Sequence, residues 1–279
     1  MLKRAYVEIT NVCNLRCSFC PGTGREPRFM SYADFDRITA ALAGSVSYLY
    51  FHVMGEPLLH KDLARFLALA AERGFRPCLT TNGTLLRERG EVLLSAPLLH
   101  KVSVSLHSFE GNGAAGDLTA YLSGVWDFAA AAAEKGVIVA LRLWNSGGRD
   151  SRNAEITDFL REKTGLSVWQ EKRKGSFTLA KNLYLENEAC FDWPDLTAPP
   201  RGTEFCLALR EQVAVLADGT VVPCCLDHEG DVPLGDLLTE SLNDILASPR
   251  ARALYDGFSR RVPSEELCRR CGFAARFSV

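Results

Sequence analysis

Apolar and polar positions follow two periods along this chain, and the two alternate. From Arg4 to Thr10, Ala5, Val7 and Ile9 alternate with Tyr6, Glu8 and Thr10, the two-residue period of a strand. Ser31 then reads as the N-cap of a helix reaching about Ala43, with Asp34 in its first turn. Tyr48 to Met54 reads as a second strand. Leu63, Phe66, Leu67 and Ala70 recur at helical spacing, and Gly74 stops that helix. Phe75 to Thr80 is a third strand, followed by a helix from Leu85. In the fourth strand, Lys101 to His107, Val102, Val104 and Leu106 alternate with Ser103, Ser105 and His107. An alanine-rich helix from Leu118 to Lys135 ends at Gly136, and Val137 to Leu143 is a fifth strand. Asn153 to Thr164 is helical, and Leu166 to Gln170 opens a sixth strand.

Strand starts recur at roughly the 30 residues of a βαβ unit, so the fold class is α/β with a parallel sheet. Six units predict an incomplete, TIM-like (β/α)6 barrel, although periodicity leaves a doubly wound open sheet as a competitor. Asp192-Trp-Pro-Asp-Leu-Thr-Ala-Pro-Pro200 reads as a linker. It divides the chain into residues 1–190, the barrel, and 191–279, a small hairpin-plus-helix domain. In that tail, Val213–Ala217 and Thr220–Pro223 flank Asp218-Gly219, a two-residue hairpin signal, and helices are expected at Leu237–Ala247 and Pro249–Ser259.

Composition narrows the function classes. The 279 residues are 47% hydrophobic and 24% charged with net charge −2, which offers no basic footprint for nucleic acid and no polybasic membrane patch. No apolar run precedes Glu8 as a secretory signal would require, and none is long enough to span a membrane, so a cytoplasmic protein is expected. In that compartment, ten cysteines point to metal or redox chemistry rather than disulfides.

Three of them form Cys13-Asn-Leu-Arg-Cys17-Ser-Phe-Cys20. Thiolates are soft anionic ligands for iron, and three of them on a four-iron cluster leave one iron open to a reactant. Zinc stays an alternative, although the loop itself shows no fourth ligand. The loop follows the first strand, at the carboxyl edge where parallel α/β folds carry chemistry. Met54-Gly55-Glu56-Pro57, Thr80-Thr81-Asn82-Gly83, Ser105 with His107, and Arg142 with Asn145 end the next four strands on that same edge.

With these residues in place, the chain resembles the radical S-adenosylmethionine superfamily. The likeness rests on the Cys-x3-Cys-x2-Cys loop with Phe19 before its last cysteine, and on Gly55-Glu56-Pro57. Met54 stands where many members have another glycine. Over residues 4–170 the resemblance implies a (β/α)6 partial barrel and a [4Fe-4S] cluster on Cys13, Cys17 and Cys20. The open iron would take the amino and carboxylate groups of S-adenosylmethionine. It further implies Glu56 for the ammonium and Arg142 for the carboxylate. Ser105 and Asn82 would bond the same groups, and Gly55 and Gly83 would allow close backbone approach.

Cys206, Cys224, Cys268 and Cys271 form a second set; alone, four thiols suit either zinc or a second [4Fe-4S] cluster. The order Cys-x12-Gly-x4-Cys, then Cys-x2-Cys, resembles the SPASM extension. With Val279 eight residues beyond Cys271, it resembles the shorter "twitch" form with one closed auxiliary cluster. Cys225 is a spare ligand, and Cys78 and Cys190 read as structural. His52 and His107 read as core histidines or proton acceptors, and Asp227, His228 and Glu229 as a solvated loop or bases. The implied function is oxidation or modification of a substrate by hydrogen abstraction, fed by a flavodoxin- or ferredoxin-type electron donor. A chain starting at its first strand favours a small molecule, or a peptide delivered by a partner. A peptide epimerase, drawing hydrogen from Cys225 or Cys190, and a cross-linking maturase are variants. A non-catalytic zinc- or cluster-binding scaffold is the competing class.

Overall fold

The computed structural model describes residues 2–114, 116–201 and 205–277. The elements run β1 (Arg4–Val7), α1 (Tyr32–Leu42), β2 (Tyr48–Tyr50), α2 (Leu63–Glu72), β3 (Arg76–Thr81), α3 (Leu86–Leu94), β4 (Lys101–Ser105), α4 (Ser108–Gly111), α5 (Leu118–Glu134), β5 (Ile138–Ser146) and α6 (Asn153–Thr164). Then come β6 (Gln170–Arg173), β7 (Ser176–Ala180), β8 (Leu183–Ala189), β9 (Gln212–Val215), β10 (Thr220–Val222), β11 (Gly235–Asp236), α7 (Leu242–Ala247), α8 (Pro249–Ser259) and α9 (Glu266–Arg269). Among the described residues, eleven strands form one sheet in the order β11-β10-β9-β1-β2-β3-β4-β5-β8-β7-β6. β1 to β5 and β8 are mutually parallel, giving the expected six-stranded partial barrel. Among the described residues no helix is long and apolar enough to cross a membrane.

The strands alternate as the sequence does. Ala5, Val7, Ile9, Leu49, Phe51, Leu79, Val102, Val104, Val139, Leu141, Leu183 and Leu185 are buried in one apolar core with helix residues such as Phe35, Phe66 and Phe128. The opposite face lines the barrel lumen with Tyr6, Tyr50, His52, Thr80, Ser103, Arg142 and Glu186. Local signals also hold: the Ser31 hydroxyl caps α1 by accepting from Asp34 N–H at 3.0 Å, and Gly74 and Gly136 follow their helices at φ +79° and +87°.

The structure corrects three expectations. The sixth parallel strand is β8, not a strand at Leu166. β6 and β7 run antiparallel before it as a hairpin arm, and every β6 residue is exposed. The turn between β9 and β10 is longer than two residues. Leu216 N–H bonds to Thr220 O at 2.8 Å, Gly219 N–H bonds to Leu216 O at 2.9 Å, and Gly219 takes φ +98°. The first tail helix starts at Leu242, capped by Ser241, because Gly235–Asp236 is taken up as β11. The tail also joins the main sheet, since β9 pairs parallel with β1, from Arg4↔Gln212 to Val7↔Val215.

Candidate functional site

The loop after β1 carries Cys13, Cys17 and Cys20 over the carboxyl edge of the sheet. Its two limbs are tied together: Thr10 hydroxyl donates to Arg28 O (2.8 Å), Asn11 Nδ2 to Glu26 O (2.9 Å), and Arg28 N–H to Asn11 Oδ1 (2.7 Å). It is also held by the end of α4 and by Glu56. Ser18 N–H donates to Gly111 O (2.8 Å), Arg16 N–H to Asn112 Oδ1 (2.9 Å) and Glu56 N–H to Val12 O (2.9 Å). All three thiols are free, and Cys13 and Cys20 are exposed. Burial pushes the Cys17 thiol up to about 12, with Cys13 and Cys20 adding to the rise, and burial raises those two as well. Iron must therefore displace protons when it binds here. Three free thiols on one short loop are a soft ligand set of the kind that holds the irons of a cluster.

The strand-end residues gather around this loop. Phe19 packs on His107 with ring centroids 4.6 Å apart. Asn82 Nδ2 donates to Asn14 Oδ1 at 2.9 Å and lies 3.9 Å from Cys13 Sγ. Gly55 sits at φ +78°, where a Cβ would run into the carbonyl oxygens of Thr10 and Val12, so its close approach is to the cysteine loop itself. Gly83 sits at φ +83° with Val104 and Tyr121 against the place a Cβ would occupy. Ser105 and Arg142 lie opposite each other in the β4–β5 register.

Two of the expected S-adenosylmethionine contacts also have partners within the protein. The Glu56 carboxylate is fully buried and accepts from Leu58 N–H (3.0 Å), Thr81 hydroxyl (2.9 Å) and Asn82 N–H (2.7 Å). Burial pushes its carboxyl up, against the pull of those three donors. It staples the ends of β2 and β3, leaving the backbone of Gly55–Glu56 to face the loop. Arg142 Nε donates to Glu186 of β8 at 3.4 Å, and its guanidinium lies 4.3 Å from the Trp144 ring centroid. Glu186 also pairs with Lys101 and Arg173, at 3.4 and 3.3 Å. Burial alone would raise the Glu186 carboxyl, but the three cations carry it below its ordinary value.

His52 and His107 stay neutral. Burial first, then the charge of Arg142, lowers His52 to about 3; burial lowers His107 to about 4 although it bonds Arg142 O at 3.0 Å. His52 packs edge-on to Tyr6 at 5.3 Å in the lumen.

In the tail, Cys206, Cys224, Cys268 and Cys271 line one partly open pocket walled by Leu226, Phe258 and Leu267. Burial, then the neighbouring thiols, raises Cys224 and Cys268 well above the ordinary thiol value. Among the described residues no three His, Cys, Asp or Glu side chains converge as a single metal ion requires, whereas four thiols stand around one apolar space. Cys225 does not line that pocket; it packs against the buried cluster of Tyr6, Val53, Met54, Ala214, Leu216 and Val222. Asp227 and His228 are buried, not solvated, and the Asp227 carboxylate accepts from Gly230, Asp231 and Val232 N–H groups at 2.8–3.1 Å. Cys78 is buried in β3, and Cys190 is exposed beyond β8. The sequence reading overlooked Glu8, Arg25, Lys101, Trp144 and Glu186. Glu8 carried a signal, a carboxylate on a strand whose neighbours are apolar.

Comparison with known proteins follows these two cysteine sets. The model of the radical SAM superfamily matches residues 7–143, and that of the SPASM iron–sulfur cluster-binding domain matches residues 206–272. GTP 3′,8-cyclase of Aquifex aeolicus is 34% identical over 118 residues, which are 38% of this chain and 36% of that one. The chain thus spans about a third of that curated relative's length. The crystal structure of BtrN in complex with AdoMet and 2-DOIA superposes with TM-score 0.63 at 18% identity, covering 97% of this chain and 93% of that one. Native anSMEcpe with bound AdoMet and a Kp18Cys peptide gives TM-score 0.63 at 14% identity, covering 98% and 87%. Both matched families bind [4Fe-4S] clusters, and with its three-cysteine loop on a partial barrel and its four-cysteine tail, the chain belongs to the radical SAM superfamily and carries a C-terminal SPASM extension.

Proposed function

We propose that the protein is an enzyme that reductively cleaves S-adenosylmethionine and abstracts a hydrogen atom from a small molecule or peptide, which it then oxidises or otherwise modifies. One observation carries the reading: three thiols of one loop stand over the polar strand ends, and four others surround a separate pocket. Cys13, Cys17 and Cys20 would hold a cluster with an open iron; Cys206, Cys224, Cys268 and Cys271 would close the second. A cluster held by Cys13, Cys17 and Cys20 would, once reduced, supply the electron for cleavage of the sulfonium of S-adenosylmethionine.

The chain's own groups bind and orient. Phe19 covers the loop, and Gly55–Glu56 offers backbone to the ammonium while the Glu56 side chain fixes that backbone. Asn82, Ser105 and Arg142 face the remaining polar groups of S-adenosylmethionine. The lumen of Tyr6, Tyr50, His52, Lys101 and Glu186 is the proposed substrate chamber, where burial and the charge of Arg142 keep His52 neutral and make it a poor base. A cluster held by Cys206, Cys224, Cys268 and Cys271 would accept an electron from the substrate or relay one, and a flavodoxin- or ferredoxin-type donor would reduce a cluster held by Cys13, Cys17 and Cys20.

The test is anaerobic reconstitution followed by dithionite reduction with S-adenosylmethionine. Formation of 5′-deoxyadenosine, lost in Cys17→Ala, is expected, with about eight irons per chain from two four-iron clusters. Zinc in place of iron, with no 5′-deoxyadenosine, would overturn the reading in favour of a scaffold.

A further inference from the structure

Glu8 is the carboxylate around which the two cysteine sites meet. It closes β1 and is fully buried. Oε1 accepts from Arg25 Nη1 at 2.8 Å and from Ala217 N–H at 3.2 Å. Oε2 accepts from Arg25 Nη2 at 2.8 Å and from Met54 N–H at 3.0 Å. The remaining edge of the guanidinium is used as well, since Arg25 Nε donates to His228 O at 2.8 Å. Next to it, Gly24 N–H donates to the Glu229 carboxylate at 3.0 and 3.3 Å. Four separate segments therefore close on one ion pair: the return limb of the Cys13–Cys20 loop, the Met54–Glu56 segment, the turn after β9, and the loop that follows Cys224.

Apolar residues would hold such a junction at least as stably, because burying two charges costs desolvation that their attraction only partly repays. What a bidentate fork adds is fixed geometry. None of the roles proposed above uses Glu8 or Arg25. Yet Glu8 touches the backbone next to the Gly55–Glu56 surface, and Arg25 touches the backbone next to the auxiliary cysteines.

We propose that Glu8 and Arg25 are positioning residues that lock the cysteine loop, the Met54–Glu56 segment and the auxiliary hairpin into one unit. Affinity for S-adenosylmethionine at the first site then depends on the integrity of the auxiliary site, and does so through this pair. The inference rests on the radical SAM reading given above.

A double-mutant cycle tests it. The full-length chain is reconstituted anaerobically and reduced, and S-adenosylmethionine is titrated against the electron paramagnetic resonance signal of the first cluster. Cys268→Ala with Cys271→Ala is expected to weaken binding about tenfold when Arg25 is present and less than twofold in an Arg25→Gln background, a coupling within the usual range for contacting networks. Equal losses in the two backgrounds, or no loss in the first, overturn the proposal. Hydrogen exchange on the iron-free chain gives a second reading that needs no cluster. Arg25→Gln is expected to speed exchange of the Met54 and Ala217 amides and of residues 226–229 together, with Arg25→Lys restoring part of the protection. Faster exchange confined to residues 24–26 overturns it. A wild-type signal that ignores S-adenosylmethionine would instead defeat the functional reading, and the exchange result would still decide the role of the pair.

Discussion

Glu56→Gln separates two jobs that a carboxylate at the end of β2 could have. In the structure the carboxylate is a staple: three donors at 2.7–3.0 Å converge on it, and the side chain is fully buried. Glutamine keeps the size and one acceptor oxygen, but its NH2 must face either Asn82 N–H or the Leu58 N–H and Thr81 hydroxyl pair. Orphaning one buried N–H costs about 1–3 kcal/mol. The surviving bonds lose their charge assistance, worth about 1 kcal/mol more. Relief from burying a charge returns part of this, for a net loss of about 2–3 kcal/mol. In a chain of this size that lowers Tm by roughly 3–5 °C. The assay is thermal unfolding of the iron-free protein with no S-adenosylmethionine present. An unchanged Tm would refute the staple and return Glu56 to the role of a ligand for an ammonium group, since a residue held only for a ligand is silent in the ligand's absence.

Gly55→Ala is expected to cost about 3 kcal/mol, from αL strain plus overpacking against Thr10 and Val12; iron analysis should show the first site depleted and the auxiliary site retained. His52 makes stability depend on pH: folded, its pKa is about 3, so only the unfolded chain takes up a proton as pH drops below about 6.5, and the stability it contributes is complete above that pH and lost on acidification. Between pH 6.5 and 5 this amounts to about 2 kcal/mol, and His52→Gln should flatten the urea-midpoint profile by that much. Cys13→Ala and Cys268→Ala should each leave about four irons per chain in reconstituted protein, and only the former should abolish the spectral response to S-adenosylmethionine.

What the sequence revealed were features encoded locally. Cysteine spacing, the Ser31 cap and the alternation of β1, β4 and β5 all lie within a few residues of one another. β6 escaped because Gln170–Arg173 is polar on both faces, so no period marks it. Missing that arm hid β8, and with it Glu186, whose approach to Arg142 exists only because the two pair across the β5–β8 ladder. Arg142 looked like a free cation awaiting a ligand for the same reason. Glu56 was found without its three donors, since spacing places a residue at a strand end without saying which groups surround it. Glu8 was read as one polar beat of an alternating strand; its partners come from residues 25, 54 and 217, separations no local pattern can show.

The tail's attachment explains how those distant partners are brought into place. Without β9, β1 would be an edge strand with open N–H and C=O groups. β9 closes it from end to end: Arg4 N–H bonds to Glu211 O at 3.0 Å, and Glu8 N–H to Val215 O at 2.9 Å. That register sets Ala214 and Leu216 against Tyr6 and brings Ala217 N–H to the Glu8 carboxylate. A slip of one residue would turn Ala214 and Leu216 away from Tyr6. A slip of two would keep the face but carry Ala217 about 7 Å from Glu8, and Cys224 with it. One pairing register thus sets both how the barrel edge is closed and how the auxiliary cysteines stand relative to the Cys13–Cys20 loop, which is why a buried ion pair at the end of that ladder is placed to sense both sites.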